Sequence, residues 1–270
     1  MTGQNTMPAR EILQFMQDRR QSMLDLLRRM AESESPSDVP SAQAGITDII
    51  ATELEQRGLT VERIPGTNSG GMIHARAEGR PGAPSQLILG HYDTVWPIGT
   101  LESMPFREDG DTVHGPGVYD MKGGVAQAML AFDALNHFGL ECEVTPHVFL
   151  NSDEEIGSRE SRPRIEELAP GMDRVFVLEP SLGPAGQLKT ARKGIGRFTI
   201  TVSGEAAHAG LDPGAGASAL LELSHVIQDL FALNDLVGGG TVNVGPLDGG
   251  RRRDGVAPVS QGGVVGGVGG

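Results

Sequence analysis

Apolar residues Ile12, Phe15, Met16, Met23, Leu26, Leu27 and Met30 recur at spacings of three and four, with Arg19 on the same stripe. That period predicts one amphipathic helix facing a core, its methionines packing rather than binding a cofactor. The SESPS run that follows breaks it at Pro36. A second helix is predicted over residues 41–57, with Gly58 as its C-cap. Short strands are predicted over 59–64, 72–77 and 86–89, separated by turns rich in Gly, Pro and Asn. Residues 121–138 read as a long helix closed by Gly139. A strand over 144–150, a short helix over 164–168 and a buried strand over 174–178 complete this half. Strands alternating with helices predict an α/β sheet covered on both faces.

The pattern changes near Lys189–Gly194, a basic, glycine-punctuated segment read as a hinge. Beyond it, a strand over 197–202, an amphipathic helix over 217–233 and a strand over 241–244 form a β-α-β unit, the opening of a second, smaller domain. From Gly238 to Gly270, thirteen residues are glycine and none is aromatic. So little apolar surface cannot offset the entropy of ordering, and the last 20 residues (251–270) are expected to be disordered. The expected divisions are therefore residues 1–190, 191–250 and 251–270.

Composition narrows the partners. The 270 residues carry a formal net charge of −13, which argues against nucleic acid and against an anionic membrane surface. Cys142 is the single cysteine, so an internal disulfide and a CxxC zinc site are both excluded. The first residues lack an apolar stretch behind a basic one, and no run of about 18 apolar residues occurs. A chain with no signal peptide or membrane span, resident in a reducing cytoplasm, is the expectation.

Five segments carry candidate chemistry. Asn151–Ser158 (NSDEEIGS) places three consecutive carboxylates directly after the apolar run Val148–Leu150. It reads either as a solvated acidic helix start or as a metal ligand beside a general base. In His91-Tyr-Asp93, the two outer side chains share one face of an extended chain. Asp93 can then accept a hydrogen bond from the second nitrogen of a metal-bound His91, although this pair taken alone reads first as a satisfied histidine at a strand end. Asp120 lies in the tight loop GPGVYDMKGG, as a ligand or as an N-cap. Glu179 ends the strand before Pro180, and His208 sits among small residues in AAHAG, where a plain surface histidine is the alternative. Four of these segments fall at or just after strand C-termini, the edge where open α/β sheets bind ligands. Imidazole and carboxylate donors without thiolate suit Zn²⁺, Mn²⁺ or Co²⁺, and several carboxylates suit a two-metal site.

HYDTV, GPGVYDMKGG, NSDEEIGS, VLEP and AAHAG, in this order, closely resemble the co-catalytic zinc metallopeptidase family. That family includes glutamate carboxypeptidase, acetylornithine deacetylase, succinyl-diaminopimelate desuccinylase and aminoacylase. The GPGVYDMKGG and ARKG forms are most similar to the glutamate-carboxypeptidase branch. The resemblance implies a three-layer α/β catalytic domain carrying the start of an inserted α+β dimerisation domain of β-α-β-β-α-β type. It implies two Zn²⁺ ions, with Mn²⁺ or Co²⁺ as alternatives. His91 and Glu179 would hold one metal, Asp120 would bridge both, Glu155 would bind the second, and Glu154 would be the general base. Asp93 would orient His91, and His208 would reach the partner subunit's site of a homodimer to stabilise the oxyanion. The implied substrate is a small N-acyl or peptidyl amino acid whose amide bond is hydrolysed. The family's last ligand to the second metal is a C-terminal histidine, and no histidine follows His225 here. A truncated or frame-shifted chain is therefore expected, and an inactive metal-binding remnant stands as the alternative function.

Overall fold

The computed structural model describes residues 9–79, 82–140, 142–183, 185–187, 189, 194–234, 240–249 and 259–268. The chain divides into two compact units, Met1–Pro180 and Ser181–Gly270. The division falls ten residues before the expected boundary, and much of the segment read as a hinge lies outside the described residues.

The predicted first helix is two. Helix α1 (Ala9–Asp18) and helix α2 (Arg20–Glu32) meet at Arg19, whose φ of −97° and ψ of 6° leave the helical region. The bend lets the two halves of one stripe reach different partners. Phe15 packs with Leu130 and Ala134, while Leu26, Leu27 and Met30 join the main core. A 3₁₀ turn at Pro40–Gln43 leads into α3 (Ala44–Gln56). Strands β1 (Thr60–Ile64), β2 (Met72–Arg76) and β3 (Ser85–His91) follow, then the one-turn helix α4 (Thr100–Ser103) and the hairpin β4 (Arg107–Asp109) and β5 (Thr112–His114). The long predicted helix begins later than expected, as α5 (Gly123–His137), because Asp120 and Met121 adopt non-helical φ/ψ in the turn before it. Strand β6 (Thr145–Asn151), helix α6 (Arg162–Leu168) and strand β7 (Arg174–Val177) complete the unit.

The sheet order is β1-β2-β6-β3-β7. β1, β2 and β6 pair antiparallel, whereas β6, β3 and β7 run parallel, so three C-terminal strand ends lie side by side. One face carries the main core, where Met30, Ile46, Ile50, Leu54 and Met129 pack on Ile73, Val148 and Leu150. On the other face, Met72, Leu87 and Phe149 meet Ile165, Leu168 and Met172. The last strand differs from expectation: Val175, Phe176 and Val177 are 41–52% exposed rather than buried, because β7 is an edge strand paired only with β3 among the described residues.

The second unit contains β8 (Gly194–Ser203), α7 (Ala219–Ala232), β9 (Thr241–Gly249) and β10 (Val259–Val268), with sheet order β8-β10-β9. Ser218 caps α7 by accepting the Leu221 N–H. The tail expected to be disordered instead supplies the central strand. β10 pairs antiparallel with β8 from Val259↔Ser203 to Val268↔Gly194, and with β9 on its other edge. Composition counts the side-chain burial a segment can offer, but a strand between two others also gains a backbone ladder on both edges. Residues 251–258 of that tail lie outside the described set. Among the described residues, no helix is long and apolar enough to cross a membrane.

On the face opposite the main core, His74 and His147 join β2 to β6 through an Nε2···Nδ1 contact of 3.1 Å. Their ring centroids are 5.4 Å apart at 20°, and which nitrogen donates depends on the tautomer. Burial pushes both rings below the ordinary histidine value of 6.5; Glu62 opposes this at His74, and Arg76 adds to it at both. Groups depressed in the fold take up protons in the unfolded chain first, so their contribution to stability falls as pH drops through about 6.5. Urea denaturation at neutral and mildly acidic pH should show this loss in the wild type and a flatter dependence in the His74→Gln/His147→Gln double variant; equal dependences would refute it. Separately, Ile50→Ala should cost about 2–5 kcal/mol of stability, and a wild-type urea midpoint would contradict the core placement of α3.

Candidate metal centre

Three ligand-bearing segments leave the sheet at neighbouring strand ends. His91 is the last residue of β3, and the next residue, Tyr92, donates its N–H to Asn151 O at 3.0 Å, extending the pairing with β6. β6 thus delivers Ser152–Glu155 beside His91, and β7 delivers Glu179 on the other side. Asp120 arrives from the glycine loop. Gly117 has φ +69°, and a Cβ there would stand 2.6 Å from Thr94 Cγ2. At Gly124 a Cβ would lie 2.1 Å from Leu178 O, so only glycine lets the start of α5 press against the residue before Glu179. The Asp120–Met121 peptide is cis, and Met121 Sδ accepts the His91 N–H at 3.2 Å.

His91 is fully buried and its Nε2 faces the carboxylates. It lies 3.1 Å from Asp120 Oδ1, 3.5 Å from Glu179 Oε1 and 3.9 Å from Glu154 Oε2. Its Nδ1 lies 3.1 Å from the Asp93 carbonyl oxygen and 3.3 Å from Asp93 Oδ1, which leaves Nε2 as the outward donor. Burial favours the neutral ring, yet hydrogen bonds to Asp120, Asp93 and Glu179 outweigh it and push the His91 pKa up to about 12. Three carboxylates thus face the Nε2 atom. Among the described residues, His91, Asp120 and Glu179 are the group of potential ligands whose donor atoms converge, all within 4.8 Å of one another. One imidazole and two carboxylates, with no thiolate, fit a divalent ion of the Zn²⁺, Mn²⁺ or Co²⁺ kind.

Glu154 and Glu155 belong to the same loop, and both feel the charges of His91, Asp93 and Asp120. Burial raises both pKa values above the ordinary carboxylate, His91 opposes this, and neighbouring carboxylates add to it. For Glu155 the result is about 7. Its carboxylate does not belong to the converging trio. His208 lies in the second unit on the loop after β8, exposed, its Nδ1 accepting the Gly210 and Leu211 N–H groups at 3.1 and 3.2 Å. With Nδ1 an acceptor, Nε2 carries the proton and is the ring's outward donor.

Asp93, expected from the sequence to orient His91, also supports the loop, together with residues that carried no chemical signal in the sequence. Asp93 is fully buried and braces the acidic loop through its backbone: Oδ1 accepts the Glu154 N–H and Oδ2 the Glu155 N–H, both at 3.2 Å. Ser37, in the run read only as a helix break, donates to Asp93 Oδ2 at 2.6 Å, and Ser35 donates to Tyr92 O at 2.7 Å. Gln43 donates to both Pro36 O and Ser152 O at 3.0 Å. Lys122, of the GPGVYDMKGG loop, is buried, and burial pushes its pKa down to about 7 against the pull of Asp93 and Glu34. The only available signal was a lysine between an acid and two glycines, which says nothing of its partners. Because Asp93 fixes both the ring and the loop, Asp93→Ala should weaken Zn²⁺ binding by about 10–100-fold, measured by competition with a chromophoric chelator; unchanged affinity would remove Asp93 from the centre.

Residues 87–244 match the model of peptidase family M20/M25/M40. Carboxypeptidase G2 of Pseudomonas sp. is 31% identical over 226 residues, covering 83% of this chain and 54% of that protein. Succinyl-diaminopimelate desuccinylase of Xylella fastidiosa is 31% identical over 185 residues, covering 64% of this chain and 48% of the relative. The chain spans about half the length of the curated relatives it matches. Among solved structures, a tripeptidase from Staphylococcus aureus superposes with a TM-score of 0.72 at 17% identity, over 92% of this chain and 66% of its own. An M20 family metallo-carboxypeptidase from Sulfolobus solfataricus gives 0.69 at 14% identity, over 93% and 71%. These likenesses show the α/β fold, and the family match extends over more than half of the sequence. The chain belongs to peptidase family M20/M25/M40.

Proposed function

We propose that this chain carries the metal centre of a hydrolase that cuts the amide bond of a small N-acyl or peptidyl amino acid, in the manner of a glutamate carboxypeptidase. The observation that carries this reading is the convergence of Asp120, Glu179 and Glu154 on the Nε2 of one buried histidine, His91. His91 and Glu179 would hold one Zn²⁺, Asp120 would be shared with a second, and Glu155 would serve that second ion, with Mn²⁺ or Co²⁺ as substitutes. Divalent ions held there supply Lewis acidity toward a carbonyl oxygen and a lowered pKa for bound water. The remaining work falls to the protein. Glu154 takes a proton from the attacking water and returns it to the leaving amine; burial raises its pKa above the ordinary carboxylate, which makes it a better proton acceptor. Asp93 keeps His91 in one tautomer and holds the backbone beneath Glu154. His208, with Nε2 as its donor, is assigned to the oxyanion of a partner subunit's substrate in a homodimer.

A second reading is a metal-binding form without turnover. It is favoured by the position of Glu155 outside the converging trio, which leaves the second ion with fewer assembled ligands. Metal analysis and assays on acyl-glutamates separate the two. Two equivalents of zinc with chelator-sensitive hydrolysis support the enzyme; one equivalent with no hydrolysis supports the second reading, and zero metal sinks both. In the active protein, Glu154→Gln is expected to lower kcat by about 10²–10⁴ while metal content stays at the wild-type level. Surviving activity would remove Glu154 from its role as base.

A further inference from the structure

Lys122 has no part in the roles assigned above, yet it is among the largest fully buried side chains of the molecule. Its Nζ donates to Met30 O at 2.9 Å and to Ser33 O at 3.3 Å. Both carbonyls belong to the C-terminal end of α2, where helix carbonyls lack intrahelical donors and carry partial negative charge. The amine retains enough N–H groups for both bonds whether charged or neutral. Its stem is confined as well: a Cβ on Gly117 would stand 3.2 Å from Lys122 Cδ and Cε, so the loop closes on the side chain with no room to spare.

The same end of α2 also holds the other ligand segment. Just beyond Ser33, Ser35 O accepts the Thr94 N–H at 2.9 Å and Ser35 Oγ donates to Tyr92 O. Ser37 binds both the Asp93 carboxylate and Thr94 O. One short segment, residues 30–37, is therefore tied to the His91–Thr94 strand end by serine hydrogen bonds and to the Asp120 loop by Lys122. Asp120 follows a loop with two positive-φ glycines and has no strand of its own to fix it. On its C-terminal side Met121 Sδ accepts the His91 N–H, and Lys122 ties the next residue to the end of α2.

We infer that Lys122 is a positioning residue: by clamping the Asp120 loop to the end of α2, it sets the spacing of Asp120 from His91 and so the affinity and geometry of the metal centre. The inference rests on the metal-centre reading under Proposed function. Co²⁺ alone is the probe, added to the full chain, and both its affinity and its visible d–d bands are read. Wild type should bind Co²⁺ with well-developed bands. Lys122→Met should keep the wild-type circular dichroism, lose at least about tenfold in Co²⁺ affinity, as expected when a supporting contact of a metal site is removed, and show shifted bands. Lys122→Gln is too short to span both carbonyls and should share the loss. Wild-type affinity and bands in either Lys122→Met or Lys122→Gln overturn the assignment. Failure of both shortened variants to fold also overturns it, because the amine would then be a condition of the fold rather than of the site. A wild type that takes up no Co²⁺ instead sinks the metal-centre reading itself, so the two failures are distinguishable.

Discussion

The Asp93 carboxylate has no exposure to water, and an unpaired charge in that position would cost several kcal/mol. Its surroundings answer that cost with the Ser37 hydroxyl, two backbone N–H groups of the acidic loop and the His91 ring. Each of these partners must then stay where it is. The end of β3, the turn after β6 and the segment after α2 are thereby fixed to one point, and a ligand field assembles around it. Gln43 adds a second link by bonding Pro36 O, Ser152 O and the Gly70 N–H from one buried amide. The polar interior is dense because it replaces, at the sheet edge, the apolar packing that holds the strands farther down.

That logic explains which features were readable in the sequence. β3, β6 and β7 announce themselves as short apolar runs, and the carboxylates and histidine that follow them stand out because charge rarely follows buried strands. Parallel order then places their ends together. The donor atoms of His91, Asp120 and Glu179 lie within 4.8 Å of one another. Ser35, Ser37 and Lys122 did not stand out, because their partners are backbone carbonyls and a carboxylate distant in sequence, and no local pattern encodes such bonds.

The departures in the fold have the same origin. The helix break at Arg19 has neither proline nor glycine to signal it; the divergent destinations of Phe15 and Met30 impose it. β7 resembles a core strand in composition, but its exposure depends on how many neighbours the sheet provides. β10 is the sharpest case. Its glycine-rich sequence carries no strand signal, and it pairs with β8 and β9 through backbone ladders on both edges. In each instance the deciding interaction lies outside the window that a local pattern covers.

Asp93 grips the acidic loop by main-chain N–H groups and never by the side chains of Glu154 or Glu155. The frame and the reagents are thus separate parts. A substitution in either glutamate alters what the loop presents without removing a bond that shapes it. Such a scaffold can exchange its chemistry one side chain at a time while the buried carboxylate beneath keeps the geometry, which is a physical basis for diversity of reaction on one fold.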